Sequence, residues 1–144
     1  MENLFDQMVQ ILKINKDYGQ IAVKAEFEAE GTRTEELIRL KEISNAADLP
    51  MVVKIGGCEA IRDLLECKEH RIANIVAPMI ESKYAAKKFV SALARVFKSE
   101  CFKPKTYINV ETELGFRNLD LISDSIMGNV DGIVFGRVDY VGSF

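Results

Sequence analysis

Ile72-Ala73-Asn74-Ile75-Val76-Ala77-Pro78-Met79 is a nearly unbroken apolar run of strand length. A strand with one wet face alternates polar and apolar residues, whereas a continuous run belongs to a strand buried on both faces, the habit of parallel sheets covered by helices. The flanking segments repeat the theme. Upstream, Met51 to Ile55 reads as a strand closed by Gly56-Gly57, and Cys58 to His70 as a helix carrying Ile61, Leu64 and Leu65. Before these, Ile21 to Phe27 is a strand running into the polar loop Glu28-Ala29-Glu30-Gly31. Thr32 or Thr34 can cap the helix Glu35 to Ala47, which turns Leu37, Ile38, Leu40 and Ile43 inward. An opening helix, Met1 to Tyr18, sets Leu4, Phe5, Met8, Val9 and Leu12 on one side and stops at Gly19.

Downstream, Ser82 is placed to cap a helix from Lys83 to Phe97 with Ala86, Phe89, Val90, Leu93, Val96 and Phe97 inward. Tyr107 to Val110 is a fourth strand, Asn118 to Met127 a helix and Gly132 to Phe135 a fifth strand. Strand alternating with helix at short spacing gives the α/β class with a parallel sheet. Two architectures compete, an open doubly wound sheet and part of a closed barrel. An open sheet gathers polar residues near one switch point, and a barrel gathers them at the carboxyl ends of many strands. Here every strand ends in candidate chemistry: Glu26, Glu28 and Glu30; Lys54 with Gly56-Gly57; Glu81 and Ser82; Asn109, Glu111 and Glu113; Arg137 and Asp139. That distribution favours a parallel (β/α) barrel of the TIM type, although Glu26, Glu30 and Glu113 can equally serve by capping the helices that follow.

With 144 residues, 48% of them hydrophobic, the chain suits one domain over residues 1–144 and is too apolar for disorder. Its apolar runs are too short for a membrane span. Nineteen basic and 22 acidic residues are interspersed, so no basic footprint for nucleic acid exists. Cys58, Cys67 and Cys101 show no metal or disulfide spacing and no signal peptide precedes them, which points to free thiols in a cytoplasmic protein. The lone His70 falls at a helix end, where a solvated role is expected.

Glu111 directly follows the fourth strand, and Asp139 follows the fifth by way of Gly136-Arg137. If those strands are neighbours, the two carboxylates converge at the sheet's rim, where they either stay solvated or hold one hard divalent cation completed by waters. Such an ion chelates a keto acid and stabilises an enolate. Gly56-Gly57 ahead of a helix either makes a simple turn or presents N–H groups to a phosphate or carboxylate. No G-x-G-x-x-G accompanies it.

Ile75-Val76-Ala77-Pro78-Met79-Ile80-Glu81-Ser82, Asn109-Val110-Glu111-Thr112, Asn118-Leu119-Asp120-Leu121-Ile122 and Val130-Asp131-Gly132-Ile133-Val134-Phe135-Gly136-Arg137-Val138-Asp139 appear in that order. As a set they resemble the HpcH/HpaI aldolase/citrate lyase β-chain family of the pyruvate/phosphoenolpyruvate barrel superfamily. The resemblance implies a (β/α)₈ barrel in which Mg²⁺ or Mn²⁺ stabilises a pyruvate-like enolate while a carbon–carbon bond breaks or forms, on an oxo acid or acyl-CoA substrate. By position, Glu111 and Asp139 match the metal carboxylates, and Asn109 stands beside them. Lys54 falls where many members have an arginine for the substrate carboxylate, and it lacks the bidentate fork. Arg62, Arg33 or Arg137 are placed to compensate. The aldolase branch has a catalytic His after its acidic loop, where this chain reads Glu26-Phe27-Glu28-Ala29-Glu30. Proton transfer then falls to a carboxylate, a lysine or water, with Glu28 and Glu26 the candidates for contact with substrate or metal-bound water.

A barrel of this type takes around 250 residues. The chain holds about five of eight βα units, and an opened barrel is expected to expose two strand edges and apolar inner layers. The expectation is therefore a portion of a longer protein, or a half-barrel that covers its open side as a homo-oligomer.

Overall fold

The structure, a computed structural model, describes residues 3–144. Its elements in chain order are α1 (Leu4–Asp17), β1 (Val23–Glu26), α2 (Thr34–Ala46), β2 (Met51–Lys54), α3 (Ile61–Glu69), β3 (Asn74–Ala77), α4 (Lys83–Phe97), β4 (Lys105–Val110), α5 (Glu113–Arg117), α6 (Leu119–Ile126), β5 (Gly132–Phe135) and α7 (Arg137–Gly142). The five strands form one sheet in the order β1-β2-β3-β4-β5, every neighbouring pair parallel. A doubly wound sheet reverses its strand order at a switch point. No reversal occurs here, and sequential order is that of a barrel wall. The class is α/β, and the chain carries five βα units of a TIM-type barrel.

Strand register explains how the layers divide. Residues alternate between the two faces of a strand. Ala25, Met51, Val53, Ile75, Ala77, Ile108 and Val110 point outward and form one buried cluster with Leu37, Leu64, Phe89, Leu93 and Ile122 from the helices. Val9 of α1 joins a smaller cluster with Val23, Ile43, Ala47 and Leu49, packed by Met8 and Leu12. Leu4 and Phe5, expected on that inward side, are exposed, and the contact of α1 with α2 and β1 runs through Met8, Val9 and Leu12 instead. Met1 and Glu2 of the expected helix lie outside the described residues.

The opposite face carries a different set. Pairing places Lys24 beside Val52, Glu26 beside Lys54, Val76 beside Tyr107, and Asn109 beside Val134. The expected apolar inner layer is thus not found. Lys24, Glu26, Lys54, Asn74, Tyr107 and Asn109 occupy most of it, and ion pairs take the place of the branched apolar side chains that usually fill a barrel. Both edge strands remain open, and on β5 the residues Ile133, Val134 and Phe135 are all more than two-fifths exposed.

Helix ends follow local chemistry. Ser82 Oγ accepts from the Ala85 N–H at 3.1 Å and starts α4 as expected. Neither Thr32 nor Thr34 caps α2. Arg33 takes that position, its N–H donating to Glu36 Oε2 at 2.9 Å. Two short helices, α5 and α7, stand where loops were expected. Thr112 starts α5, its Oγ accepting from the Gly115 N–H at 3.1 Å and donating to Glu81 Oε1 at 2.8 Å.

Candidate functional site

The carboxyl ends of β1, β2, β4 and β5 open into a cleft of about 560 Å³, lined among others by Lys24, Glu26, Glu28, Lys54, Met79, Asn109, Glu111, Arg137 and Asp139. Its position is dictated by the fold, since parallel strands deliver their last residues to one rim. A second cavity of similar size, walled by Val90, Leu93, Phe97, Lys103 and Thr106, lies at the other end of β4. The active ends of such barrels are the carboxyl ends, so the first is the candidate site.

Glu111 is the anchor, a carboxylate only 2% exposed. A buried charge survives only when its oxygens have partners. Oε1 accepts from the Met79 N–H at 2.9 Å, and Oε2 accepts from Asn109 Nδ2 at 2.9 Å with Lys54 Nζ at 3.5 Å. The Met79 N–H is aimed there by backbone strain, for Met79 sits at φ 50, a left-handed conformation an L side chain adopts at a cost of about 1–3 kcal/mol. Ile80 then ties the segment to β4, its N–H donating to the Asn109 carbonyl at 3.1 Å. Gly136 passes so close that a Cβ there would stand 2.5 Å from Glu111 Cβ.

Lys54 bridges two carboxylates, with Nζ 3.1 Å from Glu26 Oε1 and 3.5 Å from Glu111 Oε2. Lys24 pairs with the other Glu26 oxygen at 2.9 Å. Burial pushes the Lys54 ammonium down, but the hydrogen bond and charge of Glu26 and the charge of Glu111 outweigh it and hold the group above the ordinary lysine value. Burial likewise pushes the Glu26 carboxyl up, and the bonds and charges of Lys24 and Lys54 overcome that and hold it below the ordinary range. Both groups are therefore ionised at neutral pH, so Lys54 is an ammonium and not a nucleophile.

Among the described residues, Asn109 carries the one buried side-chain polar atom without a hydrogen-bond partner. Its Nδ2 is spent on Glu111, while Oδ1 is buried without a hydrogen-bond partner. An orphaned acceptor on a residue that lines a cleft is a place for a ligand donor, a water or a cation. Asp139, near the start of α7, is exposed on the same cleft, and Glu28 and Arg137 stand at its mouth. Among the described residues no group of three or more His, Cys, Asp or Glu side chains is gathered to hold a metal. Four carboxylates, Glu26, Glu28, Glu111 and Asp139, line the cleft with the Asn109 amide, and oxygen donors are the kind that Mg²⁺ takes with waters completing its shell.

Not every expected residue comes to this cleft. Arg62 lines a separate cavity with Arg33, Thr32, Thr34, Asp63 and Glu66, because the first turn of α3 faces the β1–α2 loop. The Gly56 N–H is not free for a ligand, since it donates to Asp63 Oδ2 at 2.7 Å. Gly57 touches nothing within 4 Å on its Cβ side and does not line the cleft. Conversely, Lys24 and the Met79 N–H belong to the site without having been singled out in sequence. The two-residue spacing of Lys24 and Glu26 on one strand was the available signal.

No protein-family profile and no curated protein matches the sequence. Solved structures do match. A HpcH/HpaI aldolase/citrate lyase family protein from Burkholderia cenocepacia J2315 superposes with a TM-score of 0.73 at 15% identity, over 94% of this chain and 62% of that one. The citrate synthase SbnG superposes with a TM-score of 0.74 at 18% identity, over 94% and 59%. The chain thus spans about three-fifths of the length of these structures and shares their barrel fold over that part.

Proposed function

We propose that the chain, built on the fold of aldolase/citrate lyase proteins, belongs to that family and carries the enolate-stabilising part of a metal-dependent carbon–carbon lyase site acting on a pyruvate-like oxo acid or acyl-CoA-type substrate. The observation that carries this reading is the buried Glu111, held by Met79, Asn109 and Lys54 on the same cleft as Asp139. Glu111 and Asp139 hold the divalent cation, with Asn109 Oδ1 as the adjoining oxygen donor. A bound Mg²⁺ or Mn²⁺ supplies Lewis-acid stabilisation of the enolate oxygen.

The chain's own groups do the rest. Lys54 and Arg137 provide the cationic face for the ligand's carboxylate. Glu26, kept ionised by its two lysines, orients Lys54 and is a poor proton carrier near pH 7. Glu28, exposed at the mouth, takes the proton-transfer role left open by the missing His, passing a proton through its carboxylate or a water. Free cysteines suit a reducing cytoplasmic setting. The test is pyruvate release from oxo-acid aldols, with oxaloacetate decarboxylation as a surrogate for enolate formation. Activity stimulated by Mn²⁺ and reduced by about 10²-fold or more in Glu111→Gln and Asp139→Asn supports the proposal. Equal activity in both variants and the wild type overturns it.

A second reading is a self-associating module that binds ligand or metal without turnover. It is favoured by the apolar β5 edge and the neighbouring Phe116, Phe135, Tyr140 and Phe144 rings, whose successive centroids lie 4.9–6.1 Å apart. Light scattering on a sizing column giving a homo-oligomer, together with metal binding and no carbon–carbon cleavage, selects this reading.

A further inference from the structure

We propose that the Lys54 ammonium is the resident counter-ion of the Glu26–Glu111 carboxylate pair and that a divalent cation reaches Glu111 only by displacing it. The inference rests on the proposed cation site, and its test separates the two.

A carboxylate offers about four acceptor positions. Oε2 is engaged twice, by Asn109 Nδ2 at 2.9 Å and Lys54 Nζ at 3.5 Å, and Oε1 once, by the Met79 N–H at 2.9 Å. Of these donors two are neutral and fixed, one on a strand and the other on strained backbone. The third is a full positive charge on a flexible four-carbon stem. A divalent cation accepted by Glu111 while that ammonium stays in place meets like-charge repulsion at close range, in a site where the Lys54 side chain is 12% exposed and water screens it little.

Local charges permit the exchange. Glu26 does not lose its partner when Lys54 leaves, because Lys24 Nζ holds its other oxygen at 2.9 Å. Lys54 also lines the open cleft, so its head has space to move into. The remaining charged groups facing the cleft are Glu28, Arg137 and Asp139, all near its mouth and exposed. None of them is paired with Glu111. Lys54 is therefore the group that sets the affinity of the carboxylates for a cation, and an arginine in its place keeps the charge while a neutral side chain does not.

The experiment is titration of the intact chain with Mn²⁺, free ion being read by electron paramagnetic resonance, with circular dichroism confirming the fold of each variant. Lys54→Met and Lys54→Gln are expected to tighten Mn²⁺ binding by about tenfold or more, the glutamine serving as the better-tolerated replacement. Lys54→Arg is expected to bind as the wild type does, because it keeps the charge beside Glu111. Equal affinity in the wild type and both neutral variants overturns the displacement model and leaves the cation site standing. Weaker binding in the neutral variants overturns it too, showing that Lys54 supports the ion. Absence of Mn²⁺ binding in every folded variant removes both this inference and the proposed cation site.

Discussion

Gly136→Ala is the sharpest structural probe of the cleft. Gly136 has φ -83, which any residue adopts, so its lack of a side chain matters for space and not for backbone freedom. A Cβ added there would lie 2.5 Å from Glu111 Cβ and 2.8 Å from Glu111 Oε2. Carbon atoms in contact normally sit about 3.5–4.0 Å apart, so roughly 1 Å has to be recovered. Retreat is resisted on both sides. The Gly136 N–H donates to the Val110 carbonyl at 3.1 Å, and Glu111 is pinned by the Met79 N–H and Asn109. Overpacking of this kind costs about 1–3 kcal/mol. With a urea slope of about 1–3 kcal/mol/M, the unfolding midpoint should fall by the order of 1 M at unchanged slope, and Mn²⁺ affinity should drop as Glu111 shifts. Gly57→Ala is the control: nothing lies within 4 Å of its added Cβ, and it should be neutral or stabilising by about 0.5 kcal/mol. A Gly136→Ala protein with wild-type midpoint and wild-type Mn²⁺ affinity would refute the close approach of β5 to Glu111.

Glu26→Gln should destabilise by about 1–3 kcal/mol at pH 7, between the values for exposed and buried pairs. The folded Glu26 is held below the ordinary 4.5, so its contribution is present above that value and lost as pH falls through the lower folded one; the gap to wild type should close in acid. Lys54 is held above 10.5, so its share persists up to that pH and is lost as pH rises through the higher folded value, read by denaturation at alkaline pH. Asp63→Ala leaves the Gly56 N–H without its 2.7 Å acceptor and should cost about 1 kcal/mol in urea unfolding. In thiol titration the exposed Cys101 should react at once and Cys67 only on unfolding, since burial, with Asp63 and Glu66 adding to it, pushes the Cys67 thiol up; prompt reaction of all three thiols would contradict its burial.

Long helical periods and short apolar strands survived the passage from sequence to structure, and the shortest helices did not. The α4 segment has six expected inward apolar positions at helical spacing and a Ser cap, and its limits agree with the expectation from Lys83 to Phe97. The strand Gly132 to Phe135 likewise matches β5. In contrast, α5 and α7 hold 5 and 6 residues, too few to show a period, and both escaped the sequence reading. Carboxylates at strand ends brought Glu26, Glu111 and Asp139 to one cleft because parallel strands share a rim. Arg62 went elsewhere because a residue in the first turn of a helix takes its direction from helix packing, which spacing along the chain does not encode. The polar inner face was hidden for a related reason. Glu26 and Lys54 stand out in sequence only as separate strand ends and Lys24 not at all, until register aligns β1 with β2 and makes the three one ladder.

The central claim is that Glu111 and Asp139 together hold a divalent cation in this cleft. Anomalous scattering from crystals soaked in Mn²⁺ tests it most directly. A single strong peak is expected between the two carboxylates and beside Asn109 Oδ1, lost in Glu111→Gln. A peak elsewhere on the molecule, or no peak in a well-diffracting crystal at millimolar Mn²⁺, would contradict it.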